Sequence, residues 1–224
     1  MGDIKIDGVI YGGDLLDLNE LSTFSEDKPE VQSKKLKESY RLGNEFLDIQ
    51  QKIVRKRNKG ARFIYIEGNH EGRVVRYLDR NPKLRGFIEL EDNLKLKERG
   101  IRYVRCYSNG EIFKKGNAVF IHGKFTNIHH AKKHVERYGT NIFYSHTHDC
   151  QSYSWVMRGA NKTLEGASLG CLCNYDQSYL MGNPTNWMQG FGVFHFFPDD
   201  YFSRYMVRVF RNRFHINGKT YEGN

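Results

Sequence analysis

Apolar positions along this chain fall into short continuous runs and longer stripes at helical spacing. The runs 8–11, 61–66, 118–121 and 142–144 are proline-free and rich in Val, Ile, Phe and Tyr, as buried strands are. The stretch 31–59 is an amphipathic helix by pattern. Leu36, Tyr40, Leu47 and Val54 make its stripe, Leu42, Phe46, Ile49 and Ile53 widen it, and Gly60 stops it. The residues 22–29 are polar, contain a proline and read as a loop. A second helix is predicted over 73–78, ending near Asn81-Pro82 because proline disfavours helix at the residue before it. The charged stretch 84–100 reads as a peripheral helix, and strands at 101–106 and 111–113 flank the turn Ser108-Asn109-Gly110. A helix over 127–138 would be capped by Asn127 and closed by Gly139. Beyond residue 150 come alternating, aromatic-rich β segments at 152–157, 192–196, 205–210 and 213–216, the last turning at Asn217-Gly218.

Each of the four core runs ends in residues able to hold a metal. The first leads into Gly13-Asp14-Leu15-Leu16-Asp17, and the second into Gly68-Asn69-His70-Glu71. The third delivers His122-Gly123, and the fourth Ser145-His146-Thr147-His148. Gly12-Gly13 lets the backbone turn sharply, so that Asp14 can face inward at the carboxyl end of its strand, where open α/β sheets keep their ligand crevices. Oxygen and imidazole donors together suit Mn, Fe, Zn or Ni. Arg73, Arg76 and Arg80 share one helical face. Arg73, nearest the cluster, is expected to meet substrate phosphate, with Glu71 and Asp79 as alternative partners for the row. The helix 127–138 adds His129, His130 and His134, but no glutamate stands between the last two as in an H-E-x-x-H zinc helix, so they read as surface or capping residues.

The order GD-x-x-D, GNHE, HG and SH-x-H resembles the calcineurin-like metallophosphoesterases from about Gly8 to His148. A tail from Asn186-Trp187 to Gly192 and from Phe214 to Glu222 is similar to phage-borne and bacterial members. The resemblance implies an α/β fold, a four-layer α-β-β-α sandwich, formed as one domain over 1–224. In that domain 1–150 carries the ligands and 151–224 supplies the second sheet. It also implies a metal-dependent phosphatase or phosphodiesterase working with a metal-activated hydroxide, on a phosphoester that includes nucleic acid or nucleotides. Asp14 would bridge two divalent cations, Mn2+ in first place with Fe, Zn or Ni as alternatives. Asn69, His122 and His146 would complete one firm position, and His148 would belong to the other. His70 would act as general acid or electrostatic stabiliser, oriented by Asp17.

The family's opening D-x-H motif has no counterpart here, since Asp3 is followed by Ile4-Lys5. The first strand of the sandwich is therefore expected to be absent and the second metal position weak. Self-association, or a partner chain, would complete the sheet. The competing expectation is a truncated, catalytically impaired relative that binds phosphate or nucleic acid without turnover.

Composition narrows the picture further. A chain of 224 residues with 39% hydrophobic and 14% aromatic residues can bury a sizeable core. A net charge of +9 and a pI near 9.3 favour a polyanionic partner. Much of this charge lies in Lys34-Lys35-Leu36-Lys37 and Arg55-Lys56-Arg57, which fit a solvated helix face equally well. No apolar run reaches the ~20 residues of a membrane span and no signal-peptide core opens the chain, so no membrane partner and a cytoplasmic location are expected. Cys106, Cys150, Cys171 and Cys173 lack the spacing of a disulfide framework or a C-x-x-C zinc site and read as buried reduced thiols.

Overall fold

A computed structural model describes residues 5–22, 35–175, 180 and 183–223, and the predicted loop 22–29 and the start of the 31–59 helix lie largely outside them. The chain forms a mixed α/β structure in two compact units, Met1–Glu111 and Ile112–Asn224.

The first unit is built on a parallel sheet of β1 (Gly8–Tyr11), β2 (Arg62–Ile66) and β3 (Ile101–Val104), in that order. Val9 sits beside Phe63 and Phe63 beside Ile101. The buried run Phe63 to Ile66 occupies the centre, as expected for a parallel strand covered on both faces. Helix α1 (Leu36–Arg57) turns Tyr40, Gly43, Leu47, Gln51 and Val54 inward. Its predicted wider stripe is not buried: Leu42, Ile49 and Ile53 are 52%, 57% and 38% exposed. At 100° per residue these positions fall about 120–160° from the centre of the inward face, on the solvent side, and only Phe46 of the added set packs against the core. Gly43 allows this close approach, since a Cβ there would lie 2.8 Å from Leu16.

Helix α2 (Gly72–Arg80) follows β2 and stops before Pro82. The predicted helix over 84–100 reduces to one turn, α3 (Leu90–Asn93). Lys95 adopts a left-handed φ of 52°, which breaks the helix while Leu90, Leu94 and Leu96 remain buried. The predicted hairpin at 108–110 is also absent. Cys106–Asn109 is instead a helical turn, α4, and the next strand pairs in another sheet. Buried Glu67 explains the difference, because its carboxylate accepts both the backbone N–H and the hydroxyl of Ser108 at 2.7 Å.

The second unit holds β4 (Phe113–Lys115), β5 (Ala118–Phe120), β6 (Asn141–Tyr144), β7 (Ser152–Met157) and β8 (Lys162–Ser168) in one sheet, ordered β4-β5-β6-β8-β7. Its three central strands are parallel and its edges antiparallel. Hairpins β9 (Gly190–Phe196) with β10 (Phe202–Arg208) and β11 (Arg213–Ile216) with β12 (Lys219–Glu222) follow. The second turns at Asn217-Gly218 with φ of 50° and 73°, as its dipeptide predicts. Phe143 of β6 meets the rings of Phe120, Phe194 and Phe202.

Helix α5 (His130–Tyr138) links β5 to β6 and closes on Gly139. Asn127 does not cap it. Gln151 receives the Ala131 N–H at 2.9 Å and donates to the Ile128 carbonyl at 2.8 Å, so another segment's side chain satisfies the helix start. A Cβ on Gly166 of β8 would lie 2.5 Å from Val135, so glycine admits the helix against the sheet. His130 and His134, expected as surface or capping residues, are 4% and 0% exposed. They share their face with buried Ala131 and Val135, which fixes them inward.

Among the described residues no helix is long and apolar enough to cross a membrane. All four cysteines are unbridged, Cys106 buried and the other three half-buried.

Candidate metal centre

In the first unit the end of β1 and the turn after β2 are tied together by Glu71, which is 0% exposed. Its carboxylate accepts the backbone N–H groups of Asp14 (2.8 Å), Leu15 (2.9 Å), Leu16 (3.4 Å) and Gly68 (2.9 Å), together with the Tyr65 hydroxyl (2.7 Å). A carboxylate can remain this deep only when donors replace its water. Burial and the Glu71 charge push the Tyr65 hydroxyl well above its ordinary range, so it serves as a donor. Asp14 is held with φ 56°, a left-handed conformation unusual for a residue with a side chain. Its Oδ1 accepts the His70 N–H at 2.9 Å. Gly68 is essential to this approach, since a Cβ there would stand 2.1 Å from Asp14 Oδ1.

His70 lies with Nε2 3.9 Å from Asp14 Oδ2 and Nδ1 3.7 Å from Asp17 Oδ1. Both separations exceed hydrogen-bond range, so the attraction of Asp17 for the ring is electrostatic. Asn69 forms the same turn and its carbonyl accepts from Arg76 at 3.2 Å. Arg73 turns to the Asp17 carbonyl (2.5 Å) and Asn19 Oδ1 (2.8 Å), rather than to Glu71 or Asp79. Burial lowers the pKa of its guanidinium, opposed by the charges of Asp14 and Asp17.

In the second unit His122 leaves β5 and His146 leaves β6. His122 Nε2 and His146 Nδ1 are 3.2 Å apart, and His122 is 1% exposed. Gly123, at φ 123°, brings the two loops together, because a Cβ would lie 3.0 Å from His146 Cβ. His146 and His148 adopt φ of 64° and 61°. The His148 ring packs edge-on against Trp187 at 4.3 Å, and its carbonyl accepts the Met188 N–H at 2.7 Å. The tail that carried the family resemblance thus packs on the last motif.

Ligand atoms of Asp14, His122 and His146 all lie within 4.8 Å of one another, a group that could hold a metal ion. One carboxylate and two imidazoles match the donor chemistry of Mn, Fe, Zn or Ni.

Four residues that organise the loops escaped sequence reasoning. Glu71 reads from sequence only as a partner for arginine, and Asp149 stands in no motif. His130 and His134 read as surface or capping residues although Ala131 and Val135 between and after them mark their face as apolar. Comparison with known proteins adds no relative: no protein-family model matches the chain, and no curated protein matches it.

Proposed function

We propose that the chain is a metal-dependent phosphoester hydrolase, a phosphatase or phosphodiesterase of the metallophosphoesterase kind, with the α-β-β-α sandwich that the family resemblance implies. The grouping of Asp14, His122 and His146 carries the reading. A divalent cation at such a site lowers the pKa of water toward neutrality and neutralises phosphoryl charge. Asp14, His122 and His146 would hold it, with Asn69 adding an amide oxygen and Mn2+ the first choice of metal; His148 would serve a second, weaker position. Left-handed backbone at Asp14, His146 and His148 supports the assignment, because strained residues persist where surrounding bonds over-determine them and cluster at functional sites.

His70 lies beside Asp14 and Asp17, where its imidazole would donate a proton to a leaving oxygen. Arg73 is anchored through one of its terminal nitrogens next to these groups and supplies positive charge for a phosphate. The chain's +9 charge makes nucleic acid or nucleotides the preferred substrate class, with the cytoplasm as the proposed place of action.

Hydrolysis of an aryl phosphodiester by the Mn2+-loaded chain, abolished by chelator and by His122→Ala, is the expected result. Chelator-insensitive hydrolysis, or none with bound Mn2+, overturns the proposal.

A further inference from the structure

Helix α5 carries two buried imidazoles with bonds at all four ring nitrogens. His134 Nδ1 donates to the His130 carbonyl at 2.8 Å, which leaves Nε2 as acceptor. That nitrogen receives the backbone N–H groups of Lys124 (3.1 Å) and Phe125 (3.4 Å), the second and third residues after His122. His130 Nε2 meets Asp149 Oδ2 at 2.9 Å, and its Nδ1 meets the Tyr144 hydroxyl at 2.6 Å. Asp149 Oδ1 then accepts from Thr147 Oγ1 and Ser168 Oγ, both at 2.7 Å. Thr147 lies between His146 and His148. The His134 ring stacks on Tyr144 with centroids 3.9 Å apart, which couples the two halves of the network.

We propose that His130 and His134 are positioning residues of the metal centre, holding the 122–125 and 145–149 loops so that His122 and His146 present their nitrogens together. This rests on the metal-binding reading above. The left-handed His146 and His148 cannot keep their conformation from local preference, so bonds from outside the loop must fix it. At His134 a neutral imidazole suits the task because Nδ1 donates while Nε2 accepts. Burial pushes the His134 pKa down to about 4, which keeps the ring neutral at pH 7.

The test compares the wild-type chain with His134→Phe, which keeps the ring stack, and His134→Gln, which restores a polar group near Nε2. Two quantities are measured: Mn2+ affinity, and amide exchange at Lys124 and Phe125 in the metal-free chain. His134→Phe should weaken Mn2+ binding by about tenfold or more. It should also speed exchange at both amides by about tenfold, with His134→Gln recovering most of each loss. His130→Phe and His130→Gln repeat the comparison at the amide of Thr147. Unchanged affinity and exchange in the Phe variants, or Gln variants as defective as Phe, overturns the proposal. A wild-type chain that binds no Mn2+ overturns the proposed function instead, and amide exchange alone then decides whether these histidines hold the loops.

Discussion

The two regions that carry the candidate ligands, 8–17 with 67–73 and 121–125 with 145–149, hold strained residues by opposite chemistry. In the first, one buried carboxylate gathers backbone N–H groups around Asp14, and Glu71 can do nothing but accept. In the second, imidazoles both give and take, and the carboxylate of Asp149 gathers side-chain donors. A single buried anion makes the first region brittle, because its removal strands several donors at once. The second shares its bonds among His130, His134, Tyr144 and Asp149, so it should weaken by degrees.

The sharpest break of this contrast is Glu71→Ala. It leaves the N–H groups of Asp14, Leu15 and Gly68 and the Tyr65 hydroxyl without their acceptor, and should cost roughly 4–5 kcal/mol in urea unfolding. A loss under about 1 kcal/mol would show that water replaces the carboxylate and that the region is not brittle.

His70→Ala comes next. Turnover should fall about 100- to 1000-fold while Mn2+ affinity stays near wild type, since the ring is assigned to proton transfer rather than ligation. Equal loss of metal and turnover would move His70 among the ligands.

The third concerns pH. His134 has its folded pKa lowered to about 4 from an ordinary value of 6.5, so the unfolded chain binds the extra proton between those limits. Its contribution to stability is complete above pH 6.5 and is lost as pH falls toward 4, an effect of roughly 3 kcal/mol. His134→Phe should therefore flatten this part of the stability profile. A profile as steep as wild type would assign the acid sensitivity to other groups.

The smallest effect is expected at Arg73. Its bonds go to a backbone carbonyl and Asn19, so Arg73→Ala should leave stability within about 1 kcal/mol and raise KM several-fold by removing phosphate-facing charge. An unchanged KM would reduce Arg73 to a tether for the loop around Asp17.

Much of the framework was legible in the sequence. The apolar run 8–11 coincides with β1, and β2, β5 and β6 fall within a residue or so of their predicted bounds, because a buried strand shows itself by composition alone. Gly139 and Asn217-Gly218 stop their elements where turn chemistry demands. Several misses share one cause, a polar group reaching across the chain. Ser108 bends toward Glu67 and Gln151 begins helix α5; neither pairing leaves a trace in local periodicity. Strand β8 was missed because Gly166, which admits Val135, interrupts its apolar pattern. Of the site, Asp14, His122 and His146 could be read from their places at strand ends, whereas Glu71 could not, since a buried acid has the same letter as a solvated one.

The most direct measurement is Mn2+ titration, followed by electron paramagnetic resonance, of the wild-type chain beside Asp14→Ala, His122→Ala and His146→Ala. If the three share one cation, each single change should weaken the same binding event by about 100-fold or more, with the folded state retained. Wild-type Mn2+ affinity in any one of the three variants would contradict a shared site.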